Sequence, residues 1–105
     1  MSLDADTLSR WVGHYVSDPD GARIGDLIQV YVVGDQPRWL AIKRGTMTTR
    51  IDFAPASMAT TASHGLGLPF GAEILHNAPA VANRHQMTDD EERALNNYYA
   101  NIAQH

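Results

Sequence analysis

Turn-forming residues cut this chain into pieces too short for long helices until its last fifth, and that spacing is the strongest constraint on its fold. Asp18-Pro19-Asp20-Gly21 joins a proline that presets φ to a glycine that tolerates positive φ. Gly34-Asp35-Gln36-Pro37 repeats the chemistry, Gly45 follows, and Pro55 closes the next segment. Short apolar runs separated by turns every eight to twelve residues predict a small β-barrel or sandwich.

The runs themselves have strand composition. Residues 10–17 hold Trp11, Val12, Tyr15 and Val16, preceded by a polar lead-in over residues 1–7. In residues 23–33, Ile24, Ile28, Val30 and Val32 share one parity while Leu27 has the other, so the pattern predicts two covered faces or a β-bulge, with Gly25 as its natural place. Residues 38–44 centre on Trp39-Leu40-Ala41-Ile42, a continuous apolar run that suits a strand covered on both sides. Residues 48–54 alternate, placing Thr49, Ile51 and Phe53 opposite Arg50 and Asp52. Leu66 and Leu68 within residues 65–69 predict one short closing strand, and residues 70–77 a helical turn.

One helix is written plainly. Thr88 with Glu91 three residues on is a capping box, four acidic residues (Asp89, Asp90, Glu91, Glu92) suit the positive end of the helix dipole, and Leu95, Tyr98 or Tyr99, and Ile102 recur at helical spacing. A helix over Asp89–Ala103, within a C-terminal segment 83–105, should lay one apolar stripe on the β-body of residues 8–82. Adjacent helix positions point about 100° apart, so one tyrosine should pack while the other is displayed beside Ile102 at a possible interface.

Charge narrows the function classes. Most of the net charge of −4 comes from that acidic turn, since the first 86 residues carry seven Lys or Arg against eight Asp or Glu. Lys43, Arg44 and Arg50 form the one small basic cluster, far from the broad basic face that phosphate binding requires. The absence of cysteine excludes disulfides, thiolate metal sites and a cysteine nucleophile. No stretch approaches the ~18 apolar residues of a membrane span, and the expectation is a cytoplasmic protein without membrane insertion.

No catalytic pattern emerges. Asp18, Asp20 and Asp26 lack the remaining ligands of a calcium loop, and turn chemistry accounts for them. His14, His64, His76, His85 and His105 show no metal-ligand spacing; His14 is the one to follow, with Asp52 or Glu73 as the acid that folding could bring near it. Ser57 and Ser63 lie in no nucleophile elbow, and Gly65-Leu66-Gly67 is no dinucleotide fingerprint. Trp11, Trp39, Phe53 and Phe70 read as core. No catalytic residue, metal site or cofactor is expected.

The order Trp11-x-Gly13-x-x-Val16, Asp18-x-Asp20-Gly21-x-x-Ile24-Gly25, a strand around Trp39-Leu40, Phe53-x-Pro55, then Leu68-Pro69-Phe70 ahead of Ala78-Pro79 resembles the PRC-barrel family. That family includes the cytoplasmic domain of the photosynthetic reaction centre H subunit and the C-terminal domain of a ribosome maturation factor. The likeness covers residues 8–99. It implies a small, strongly bent antiparallel barrel with a C-terminal helix, acting in bacteria as a non-catalytic docking module for proteins, with RNA or ribosomal particles as the alternative and a ligand-binding barrel or enzyme as the remote one. A homodimer is the natural expectation. The chain carries neither the membrane helix of the reaction-centre subunit nor the extra domain of the maturation factor, and no functional residue transfers. The surface expected to meet a partner comprises Tyr98, Tyr99, Ile102, Lys43, Arg44 and Arg50.

Overall fold

A computed structural model describes residues 4–43, 51–62, 65–79, 81–82 and 86–103. Its elements are a helix α1 (Ala5–Ser9), strands β1 (Tyr15–Ser17), β2 (Arg23–Val33), β3 (Gln36–Lys43) and β4 (Ile51–Pro55), a 3₁₀ turn (Ala56–Met58), strands β5 (Thr60–Ala62) and β6 (Gly65–Gly67), a short helix α2 (Ala72–His76) and the long helix α3 (Asp89–Ala103). The strands form one six-stranded sheet in the order β4-β3-β2-β1-β6-β5.

The polar lead-in is helical. Asp4 caps α1 by accepting the Thr7 N–H at 2.7 Å, satisfying one of the donors a helix start leaves open. Leu8 is fully buried, which ties this segment to the body. The turn continues through Trp11, whose N–H donates to the Leu8 carbonyl, so the strand expected over residues 10–17 shrinks to Tyr15–Ser17. Local capping and turn bonds take up residues 4–14, so β1 meets β2 only near its start.

Turn chemistry works as written. Asp18 accepts the N–H groups of Asp20 and Ala22 through Oδ1, and Gly21 takes φ +87°. A two-residue turn, Gly34-Asp35, joins β2 to β3, with Gly34 at φ +63° supplying the positive φ of a II′ hairpin.

The bulge expected near Gly25 is found beside it. Val16 pairs with Gly25 and Ser17 with Arg23, leaving Ile24 as the extra residue. A second shift leaves Ile28 extra against β3, which is why Leu27 and Val30 reach the same face. Directly paired residues share a face, so Trp39, Ala41 and Phe53 lie on one side of the sheet and Leu40, Ile42 and Ala54 on the other. All six are buried, and β3 is the doubly covered centre that its apolar run predicts. Asp52, on the face opposite Phe53 as its alternation predicts, is buried because β4 is covered on both faces too.

The sheet curls. Laid flat, six strands would separate β4 from β5 by about 24 Å, yet the chain crosses from Pro55 to Thr60 through a 3₁₀ turn in a stretch that spans at most about 18 Å when fully extended. Two parts of the expected architecture change. The β1–β6 pairing is parallel, so the sheet is not antiparallel throughout, and among the described residues β4 and β5 do not hydrogen-bond to close a barrel.

Candidate functional site

Helix α3 lies on the Trp39 face, and its attachment builds the site. Its N-terminus is a complete capping box: Glu91 accepts the N–H of Thr88 at 2.9 Å, and Thr88 Oγ1 accepts the N–H of Glu91 at 3.1 Å. The same Glu91 carboxylate also accepts the Ala82 N–H at 2.7 Å, which draws the preceding chain onto the helix. These backbone donors, Thr88 first and then Ala82, hold the Glu91 carboxyl below the usual range because they favour its charged form.

One residue further, Glu92 bonds to the sheet. Its Oε2 accepts from Trp39 Nε1 at 2.7 Å and from the Arg38 guanidinium at 3.0 Å. Successive strand residues normally point to opposite faces, so two neighbours reaching one oxygen calls for a cause. The register supplies it: Tyr31 pairs with Trp39 and Val32 with Pro37, leaving Arg38 as an extra residue that turns toward the face of Trp39.

The remaining contacts are aromatic. Tyr99 is 2% exposed, stacks on Phe70 with centroids 5.5 Å apart, and donates its hydroxyl to the Phe53 carbonyl at 2.6 Å. Burial, helped by the charges of Tyr98 and Asp52, raises its pKa well above the ordinary phenol value. Tyr98 is half-buried, meets Tyr99 edge-on, and donates to the Ile74 carbonyl of α2 at 2.7 Å. Ile102 packs against the core. Both tyrosines are therefore attachment points for α3, and neither displays a ring free of the body.

Beside this joint runs a groove of about 630 Å³. Its floor is the distal half of β2 (residues 29–33), and its flank is Arg38, Trp39, Gln86, Met87, Asp89 and Glu92. Val32 and Val33 stand at its open rim, 43% and 61% exposed. The strongest polar groups already answer one another, since Glu92 takes both Arg38 and Trp39. What remains for an incoming molecule is the strand with its valines, together with the polar side chains of Gln29, Gln86 and Asp89.

The other sequence-derived candidates lie away from this groove or outside the described residues. Lys43 is half-buried at the end of β3, while Arg44 and Arg50 lie outside the described residues, as do His64, His85, His105 and Ser63. Asp26 is held by Arg23 at 2.7 Å, and Asp18 is engaged in its turn. His14 packs edge-on to Trp11 with centroids 5.3 Å apart. Among the described residues no group of His, Asp and Glu is placed to hold a metal, and no helix is long and apolar enough to cross a membrane.

Sequence reasoning missed Val32, Val33, Arg38, Met87 and Glu92. The adjacent valines ahead of a two-residue turn were the available signal; the reach of Glu92 to Trp39, 53 residues away, leaves none in the local pattern. Neither models of protein families nor curated proteins match the sequence.

Proposed function

We propose that this chain is a non-catalytic interaction module of the PRC-barrel type, and that it meets a protein partner through the β2–β3 hairpin and the start of α3. The observation that carries the reading is the pair Val32 and Val33, left exposed at the rim of a groove in which Glu92 already binds both Arg38 and Trp39. Such a surface suits an apolar, shape-matched contact better than a small polar substrate, which needs several convergent unmatched polar groups. The curled sheet, with its two edges bridged by a 3₁₀ turn, is the body expected of a small barrel opened between β4 and β5.

The test is site-specific photo-crosslinking in extracts of the source cell. A photoreactive residue at Val33 is compared with one at Asp20, an exposed position in the turn at the opposite end of β2. Protein adducts at Val33 that are absent at Asp20 are the expected result. Adducts to RNA would transfer the assignment to the ribosome-associated alternative, and equal labelling at both positions would end the proposal.

A further inference from the structure

We infer that the distal half of β2 is a two-fold pairing edge for a second copy of this chain. The inference rests on the interaction-module reading and names the occupant of that same surface. Strand β2 has eleven residues, but β1 meets it only over Arg23 to Asp26. Just beyond, Gly13 donates to the Leu27 carbonyl and Leu27 donates to that of His14, and there the covering chain ends. Among the described residues, no strand flanks β2 past Leu27 on the side away from β3.

Sheet edges are usually protected by lysine, proline or a covering element, because a row of backbone donors and acceptors is a template for another strand. Residues 28–33 read Ile-Gln-Val-Tyr-Val-Val, with no charge, no proline and four β-branched side chains. The bulge at Ile28 and the turn at Gly34 limit the stretch without a flanking strand to six residues, a usual strand length. A two-fold axis perpendicular to the sheet pairs such a segment with itself in antiparallel fashion, residue 29 opposite 33 and residue 31 opposite its own copy, so that opposed residues share a face and both copies use the same patch.

The charges at the two ends favour this direction. Asp35 sits exposed on the hairpin tip, and Arg10 sits exposed at the end of α1, three residues before the Gly13 that covers Leu27. In the antiparallel arrangement the tip of each copy abuts that covering segment of the other, bringing Asp35 toward the second copy's Arg10 at both ends. A parallel arrangement would set Asp35 against Asp35. Pairing along this edge also stops at two copies, because a two-fold contact uses the same stretch of both and leaves none of it for a third.

Sedimentation velocity of the full chain over a wide concentration range tests this. The wild type should show a reversible monomer–dimer equilibrium, and the double variant Val32→Lys/Val33→Lys, altered at two exposed sites, should weaken it by about tenfold or more. Arg10→Glu should weaken it as well, and adding Asp35→Lys to Arg10→Glu should restore it, which a loss of folding would not do. A strict monomer at every concentration overturns the inference while leaving the cross-linking at Val33 to decide the broader reading. A dimer indifferent to the lysines overturns the edge assignment.

Discussion

The indole N–H of Trp39 donates to the carboxylate of Glu92 at 2.7 Å, and this bond fixes where the last helix of the protein begins on its sheet. Trp39 is 3% exposed, so its donor has little access to water and needs a partner within the protein. Arg38, brought to the same face by a strand irregularity, adds a second donor to the same oxygen.

Glu92→Ala should therefore cost about 1–3 kcal/mol, the range for a hydrogen bond to a charged acceptor whose loss strands a buried donor. Arg38→Ala should cost less than about 1 kcal/mol, since that side chain is nearly half exposed and its ion pair is screened. Urea unfolding followed by tryptophan fluorescence checks the order of the two, and an equal loss in both would contradict the assigned roles.

The tyrosine pair should behave asymmetrically. Tyr99→Phe keeps the stacked ring but removes the donor to the Phe53 carbonyl, for a loss of about 1–2 kcal/mol, whereas Tyr99→Ala should lose about 3–5 kcal/mol as a core cavity opens. Matched denaturation curves report both.

Alkaline stability follows from the same residue. The folded-state pKa of Tyr99 is raised above its unfolded value, chiefly by burial, so its contribution is complete below an unfolded pKa of about 10 and is lost as the pH climbs above it. Tyrosinate absorbance should rise together with loss of tertiary structure, and Tyr99→Phe should flatten that alkaline slope. Ionisation at ordinary pH in a protein still folded would refute the burial argument.

Acid acts through Glu91. Its folded-state pKa is depressed by the Thr88 and Ala82 N–H groups, so the stability it adds is present above its unfolded pKa and disappears as the pH falls through the folded value. Glu91→Gln should reduce the acid dependence of α3 helicity seen by circular dichroism. Thr88→Ala, which removes the reciprocal half of the box, should cost about 1 kcal/mol at neutral pH.

Glycine substitutions should separate space from sequence. A Cβ on Gly25 would lie 2.5 Å from Ile42 Cγ2 and 2.9 Å from the Lys43 carbonyl oxygen, so Gly25→Ala must move a strand and should cost about 1–3 kcal/mol. A Cβ on Gly65 would collide with the Tyr15 carbonyl oxygen, and Gly65→Ala should disturb the β1–β6 pairing at least as much. At Gly71 a Cβ meets nothing within 4 Å, and Gly71→Ala is the control. Thermal melts of the three variants rank them.

Local interactions explain what was readable beforehand. Turn residues, the apolar run of β3 and the Thr88–Glu91 box act within a few positions of themselves, so the bounds of β2 and of α3 follow from the residues alone. The pattern misled at residues 10–14, where turn bonds following α1 replace the expected strand, and it carried no sign that both faces of β4 are covered and Asp52 lies inside.

Composition and local chemistry thus determined that this chain makes a β-rich body closed by a capped amphipathic helix. Tertiary structure alone decided that β6 runs parallel to β1, that Glu92 meets Trp39, and that Val32 and Val33 stand exposed. Those outcomes depend on which distant segments meet and in which register, and a one-residue shift in a strand changes them while leaving the local pattern as it was.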